Sequence, residues 1–519
     1  MKTRIEKIDR TAIDRTVIEE AGKILKEGGL VAFPTETVYG LGANALDEEA
    51  AKKTYAAKGR PSDNPLIVHI AEKEALYDII EEIPEDTAKI ADRFWPGPLT
   101  MIFRKSEKVP YGTTGGLDTV AVRMPDDEIA RELIRAGGGY VSAPSANTSG
   151  RPSPTMAQHV AEDLDGKIDM ILDGGSVNIG VESTILDMTS VPPVILRPGA
   201  VTKEMLEEVV GEVDIDKTIL SDDSTEIPKA PGMKYRHYAP KAQMVLIEGD
   251  PFDAVRAIKQ LTYDKVKFGK KENGEPYRIG IIATAETMKD YTYGIVKSIG
   301  SRENRKTITK NLYGVLREFD EENVDIIYSE AFSGEEIDVA IMNRLAKAAG
   351  HKIIPASEIV KLQPYRRIIF VSKDDNCRGP MAERILQTEV LFQEYDIESR
   401  GLAVLFPEPL NPAAEETMRR HGVNTENHEA LAFDETAISP ETLILTMEKA
   451  QKWKIVNEYG FDSNIYALNE YINMPDEVES MYGKSLEEYE TAYNNLEQYM
   501  KILADKLNRE AREIWAEYM

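Results

Sequence analysis

Cysteine is almost missing from this chain. Cys377 is the one thiol in 519 residues, which rules out an internal disulfide and any zinc cage built on several cysteines. Long hydrophobic runs are missing too: no window holds the ~18 or more uncharged apolar residues that a membrane-spanning helix needs. The opening segment, MKTRIEKIDRTAIDRTVIEE, is charged throughout and lacks the apolar stretch of a secretory signal. Positive charge is scarce, with 63 Lys and Arg against 90 Asp and Glu and a formal net charge of −27. Affinity for nucleic acid rests on neutralising phosphates with basic side chains, so this balance weighs against direct binding of tRNA or any other RNA. A local basic cleft is still open to it, because a triphosphate needs only a few cations. Repeats and low-complexity tracts are absent. These absences predict a cytoplasmic protein with no membrane segment and no metal held by the protein itself.

What is present is an ordinary globular composition, 42% apolar and 29% charged, in a chain long enough for three or four domains. Residues 1–220 alternate helical stripes with short apolar runs. Val17, Ile18, Ala21, Ile24 and Leu25 share a helical face, and Leu30–Phe33 follows as a strand. Further strands are predicted near 65–70, 99–103, 119–123, 140–142, 170–172 and 183–186, with antiparallel pairs among them and a helix over 126–136. Residues 221–240 are polar and Pro-containing, as in a linker, but end in the aromatic and basic run APGMKYRHYAP. Residues 241–360 read as a small Rossmann-like unit with strands near 244–247, 279–282 and 324–328 and helices near 311–319 and 338–349. That unit has no G-x-G-x-x-G turn, so nothing in it argues for a dinucleotide. A third α/β unit, 365–519, carries roughly half of the net negative charge and ends in a helical pattern from Leu486 to Trp515.

The stretch GGLVAFPTETVYGLGANALDEEAAKKTYAAKGRPSDNPL, from Gly28 to Leu66, joins a strand, a Pro-Thr-Glu-Thr turn, a helix and a cationic loop. With SAPSANTSG, GVESTIL and ILRPG downstream, it resembles the YrdC-like threonylcarbamoyl-AMP synthases. The linker PGMKYRHYAP and residues 241–356 resemble the two-domain members of that family, whose linker folds back over the active site. The resemblance implies a nucleotidyltransferase on a twisted mixed sheet. Its substrates would be L-threonine, bicarbonate and ATP with Mg2+, and its product would pass to a tRNA threonylcarbamoyl transferase. It implies Lys58 and Arg60 of the K-x-R element as catalytic, facing the phosphates, and Thr37, His69, Arg123, Ala143 and Ser183 as threonine contacts. It implies Asn64, Thr119, Ser145, Asn147, Ser153, Arg197 and Tyr235 as further ATP contacts. Arginine suits phosphate and carboxylate because its planar fork binds oxyanions bidentately, and Mg2+ held mainly by phosphates needs few protein ligands.

Each of these signals alone has a plainer reading. A K-x-R pair is commonly a solvated surface pair, a histidine on an apolar strand is commonly a core histidine, and Arg123 and Arg197 could serve structural ion pairs. Their joint occurrence, in order, over some 200 residues is what points to the synthase. The competing reading is an RNA-binding surface on the same concave domain. The charge balance and the lack of interleaved basic and aromatic residues weigh against it.

Residues 366–384, RRIIFVSKDDNCRGPMAER, resemble the phosphate loop of the low-molecular-weight protein-tyrosine phosphatases and the related arginine phosphatases. The resemblance implies a doubly wound α/β domain whose chemistry has been lost. The nucleophilic cysteine falls on Ser372, which has no evident base to activate it. Cys377 matches the family's second cysteine, and the general acid falls on Ser480. Asp374 and Asp375 replace a Gly-Asn pair, and a carboxylate there opposes a phosphate by roughly 4 kcal/mol per charge pair at ~4 Å if the effective dielectric is about 20. Arg378 is retained and expected to pair with these aspartates. A pseudophosphatase follows, either a structural or dimerisation appendage or a binding or regulatory module that docks a partner or caps the synthase.

Overall fold

Short polar side chains start the first helices. Asp14 accepts the Thr16 amide ahead of Arg15–Lys26, Asp47 accepts the Glu49 amide ahead of Glu48–Lys58, and Asp127 accepts the Ala130 amide ahead of Glu128–Ala136. In the first of these, Ile18, Ala21, Gly22 and Leu25 form the buried stripe, at the spacing a 3.6-residue period requires. The computed structural model describes residues 2–216, 219, 238–267, 269–271, 273–291, 293–359, 365–460 and 464–517. It divides into two compact units, Met1–Ile359 and Val360–Met519.

The first unit holds two sheets. One is an 11-stranded mixed sheet. Its middle places Val141–Ser142, Ile67–His69, Thr119–Arg123, Leu99–Arg104, Thr184–Asp187 and Val194–Arg197 side by side, in parallel and antiparallel pairs. One edge is Arg4–Lys7, paired parallel to Met170–Asp173. Its mostly exposed, charged residues give no strand signal in the sequence. The other is a five-stranded parallel sheet, with Ile326–Glu330 between Ile279–Ala283 and Gln243–Glu248. The predicted strands fall where expected, apart from the third starting at Ile326 and not at Val324. The two flanking helices run longer than their sequence patterns, over Arg305–Glu322 and Glu336–Ala348. Of the 221–240 linker, residues 221–237 lie outside the described residues.

Buried charge joins the two sheets. Arg317 on Arg305–Glu322 donates to the Pro152 carbonyl at 2.6 Å and to Asp163 at 3.0 Å, and Arg151 pairs with the same Asp163 carboxylate. Gly180 sits at φ +85° against that helix, where a Cβ would collide with the Thr309 carbonyl and the Lys310 backbone.

The second unit is a four-stranded parallel sheet in the order Asp396–Gly401, Arg367–Ser372, Thr442–Thr446, Ile465–Ala467. The first strand in the chain feeds helix Arg378–Leu386, and helix Leu486–Glu517 closes the unit. This is the doubly wound arrangement. Among the described residues no helix is long and apolar enough to cross a membrane.

Gly180→Ala is expected to destabilise the first unit by about 2 kcal/mol or more, from overpacking and a left-handed alanine together. Thermal unfolding of the variant tests this, and an unchanged midpoint would mean that the helix does not rest on Gly180.

Candidate active site

A strand period of two sorts the residues of Ile67–His69. Val68 enters the core, while Ile67 and His69 face a cavity of about 60 Å³. The parallel register sets His69 beside Arg123, at the end of Thr119–Arg123. Helix Glu48–Lys58 closes on Gly59 in the left-handed conformation at φ +61°, so Lys58 on its last turn and Arg60 just beyond it both reach the same space. Thr37 is held in its turn by the Thr35 hydroxyl, 2.9 Å away, which also donates to the Val38 carbonyl at 2.7 Å. Ser183 enters just before Thr184–Asp187, and Arg197 ends the antiparallel strand beside it, after a register shift.

Of the residues singled out from the sequence, Thr37, Lys58, Arg60, His69, Arg123, Ala143, Ser145, Asn147, Ser183 and Arg197 share this cavity wall. Asn64, Thr119 and Ser153 are not part of it. Asn64 acts on a wall residue, taking Arg60 on its side-chain oxygen at 2.6 Å, and Ser153 donates to Glu182 at 2.6 Å. Tyr235 lies outside the described residues. The wall also holds two functional candidates that the motif reading did not name, Glu182 and Tyr238. Both adjoin motifs already quoted, Glu182 in GVESTIL and Tyr238 in RHYAP, and that adjacency was the available signal.

The cations are anchored on carbonyl oxygens. Lys58 donates to the Ser145 and Asn147 carbonyls. Arg60 donates to those of Pro65 at 3.0 Å and Asn64 at 3.2 Å, and Arg197 to that of Ser183 at 3.0 Å. Arg123 reaches the Gly97 carbonyl at a long 3.4 Å and lies 2.7 Å from the Glu36 carboxylate. That pair is a charge contact without an aligned hydrogen bond, since both Glu36 oxygens and Arg123 Nη2 have no hydrogen-bond partner. Burial, and then Arg60, push the Lys58 ammonium well below its ordinary pKa, and burial brings Arg60 down to about 10. Burial and Arg123 push His69 down to about 3, so its ring is neutral. Its Nδ1 lies 3.1 Å from the Ile67 carbonyl, which makes Nδ1 the protonated nitrogen.

Glu182, 6% exposed, is the sole acidic side chain on the wall among the described residues. It accepts from Ser153, from the Tyr313 hydroxyl at 2.7 Å and from Arg344 Nε at 3.1 Å. Burial raises its pKa, but Arg344 and Arg197 outweigh that and hold it below the usual carboxylate range. Tyr238 packs its ring 5.2 Å from Tyr313. Among the described residues no cluster of three or more His, Cys, Asp or Glu could hold a metal ion. A wider depression of about 670 Å³, lined by Lys53, Lys167 and Asp169 among others, lies on residues none of which carries this chemistry.

The loop of the second unit is tied up internally. Ser372 Oγ accepts the Asp375 amide at 3.2 Å. Asp375, at φ +52°, accepts the Leu431 amide at 2.9 Å, and burial pushes its carboxyl up to about 6. Arg378 does not pair with Asp374 or Asp375 as expected. It bonds Glu448 at 2.5 Å and the Val478 carbonyl at 2.7 Å, because its guanidinium leaves the helix toward the loop that follows Thr442–Thr446. Burial pushes the Cys377 thiol up to about 11, and Ser480 is exposed.

Residues 23–199 match a family described as telomere recombination, 201–350 the threonylcarbamoyl-AMP synthase C-terminal domain, and 367–513 the low molecular weight phosphotyrosine protein phosphatases. The chain is 49% identical over 345 residues to the threonylcarbamoyl-AMP synthase of Pyrococcus abyssi, covering 66% of this chain and 97% of that one. It is 47% identical over 358 residues to the Bacillus subtilis enzyme of the same name, covering 68% and 100%. The crystal structure of Pyrococcus abyssi Sua5 complexed with L-threonine aligns with a TM-score of 0.63 and 48% identity, covering 68% of this chain and 99% of that one.

A histidine that cannot protonate in the fold makes stability depend on pH. Between pH 6.5 and about 3 the unfolded chain takes up a proton that buried His69 refuses. That contribution is present in full above the unfolded value and is lost as pH falls, by about 2 kcal/mol at pH 5. His69→Asn should therefore show a smaller drop in unfolding midpoint between pH 7 and pH 5 than the parent. An identical drop would remove His69 from the account.

Proposed function

The chain belongs to the threonylcarbamoyl-AMP synthase family of nucleotidyltransferases, and from that premise we propose that it converts L-threonine, bicarbonate and ATP into threonylcarbamoyl-AMP and pyrophosphate, the first step in forming N6-threonylcarbamoyladenosine in tRNA. The observation that carries the reading is the cavity wall, where among the described residues Lys58, Arg60, Arg123 and Arg197 face a single carboxylate in a chain of net charge −27. Such a wall suits reactants that carry several negative charges.

Threonine's neutral amine combines with the CO2 that bicarbonate yields on dehydration, the amine proton and the hydroxide leaving together as water, to give a carbamate. A carbamate oxygen then attacks the α-phosphorus of ATP, the bond from that phosphorus to the bridging oxygen breaks, and pyrophosphate leaves. In this reading Lys58 and Arg60 stabilise charge on the transferring nucleotidyl group. Arg197, Ser145 and Asn147 hold the nucleotide, with Asn64 and Ser153 supporting the wall from behind, and Thr119 and Tyr235 remain proposed nucleotide contacts. Arg123 takes the threonine carboxylate, with Thr37, His69, Ala143 and Ser183 around the amino acid. The threonine complex of the Pyrococcus abyssi relative supports that substrate. The wall offers Mg2+ no uncommitted carboxylate, since Glu182 is already bonded on both oxygens. The ion would enter on the phosphates of ATP. A cavity of about 60 Å³ is far below the roughly 300 Å³ or more of an ordinary ligand pocket, so the wall must part to admit the reactants. The labile product passes to a tRNA threonylcarbamoyl transferase, and the synthase acts in the cytoplasm without binding tRNA itself.

The second unit is proposed as a pseudophosphatase with a structural or regulatory role. Its Arg378 is committed to Glu448, its one thiol is held protonated by burial, and Ser372 is engaged with the loop backbone.

Pyrophosphate release that requires ATP, threonine and bicarbonate together tests the reading, and release without threonine would overturn it. Lys58→Ala and Arg60→Ala should each lose on the order of 10²-fold in turnover while keeping a native circular-dichroism spectrum. The full chain, and its Ser372→Cys variant, should release no phosphate from p-nitrophenyl phosphate or phosphoarginine. Measurable release from either would restore the phosphatase reading.

A further inference from the structure

The second sheet of the first unit contains none of the residues assigned to the reaction, yet two side chains on the helices beside it bond to a residue of the cavity wall, Glu182. Arg344, on Glu336–Ala348, is fully buried, and so is Tyr313, on Arg305–Glu322. Arg344 donates to the Glu182 side chain at 3.1 Å and to the Glu182 carbonyl at 3.2 Å, and it also donates to the Pro198 carbonyl. One guanidinium thus staples together the two segments that present Ser183 and Arg197. Tyr313 donates to the same carboxylate and carries the ring on which Tyr238 rests.

We propose that Arg344 and Tyr313 are positioning residues of the synthase site, which neutralise and orient the Glu182 carboxylate so that a polyanionic reactant, ATP foremost, can be held beside it. This rests on the synthase reading of the cavity. A buried carboxylate stripped of its cation is an uncompensated charge in a low-dielectric wall. It would face the triphosphate at close range and would also draw the neighbouring Arg197 toward itself. Removing both charges leaves no uncompensated ion, so the double variant should regain the electrostatic part of the loss, while the bonds to the Glu182 and Pro198 carbonyls stay lost. A role confined to holding the two sheets together makes a different prediction: losing both partners would then be no better than losing one.

The test uses the full chain. Arg344→Met should weaken MgATP binding, by calorimetry, at least about tenfold and raise the KM for ATP in step, with kcat changed far less. The double variant Glu182→Gln Arg344→Met should bind MgATP measurably more tightly than Arg344→Met, by about threefold or more. Unchanged ATP affinity in Arg344→Met, or a double variant as impaired as the single one, overturns the proposal. If Arg344→Met does not fold, Tyr313→Phe decides. It should weaken ATP binding about threefold in the parent and have no effect in a Glu182→Gln background, and an equal effect in both backgrounds overturns the proposal. The parent protein keeps the two readings apart. Absence of threonine- and bicarbonate-dependent turnover in it sinks the synthase assignment, whereas normal turnover with ATP affinity indifferent to Arg344 sinks only this inference.

Discussion

Four cationic side chains crowd a cavity of about 60 Å³, and their mutual repulsion is the constraint around which the first unit is arranged. Pairing each tightly with a carboxylate would relieve the repulsion but also cancel the charge that an anionic reactant needs. The chain holds three of them on peptide carbonyls. The Ser145 and Asn147 carbonyls hold Lys58, those of Asn64 and Pro65 hold Arg60, and that of Ser183 holds Arg197. A carbonyl dipole fixes the position of a cation without neutralising it, so positive potential survives in a low-dielectric wall. Arg123 also lies beside the Glu36 carboxylate, in a contact that is electrostatic and poorly aligned, and Arg197 also feels Glu182.

The same constraint explains where the second sheet docks. Carbonyls that anchor cations must themselves stay in place, and they belong to loops and strand ends. Arg317 secures the Pro152 carbonyl, while Arg344 secures those of Glu182 and Pro198. Two fully buried arginines from one half of the unit therefore brace the loops that brace the cations in the other half. Gly180 lets the helix carrying Arg317 come close enough to do so.

Much of this was legible in the sequence, and the boundary of legibility has a physical form. Thr37, Lys58, Arg60 and His69 lie within one stretch of strand, turn, helix and loop, so their order already encodes their proximity. The antiparallel and parallel pairing that brings Arg123 and Ser183 alongside follows from short apolar runs. The role of Glu182 was not legible, because its partners Tyr313 and Arg344 lie 131 and 162 residues away, on helices whose apolar stripes give no hint of a buried polar contact. Ser153 carries a recognisable motif position, but its hydroxyl is spent on Glu182, a use that only the packed structure specifies. In the second unit the swap of Gly-Asn for Asp374-Asp375 was plain. The diversion of Arg378 to Glu448, 70 residues further on, was not.

The partly buried setting of Cys377 has a practical consequence. With its thiol pushed up to about 11, only about one molecule in ten thousand carries the thiolate at neutral pH, and thiol reagents attack the thiolate. Such a thiol is expected to react slowly with maleimides. A single cysteine introduced on an exposed surface could carry a fluorophore or spin label with little background, in the full-length protein and with no thiol removed first.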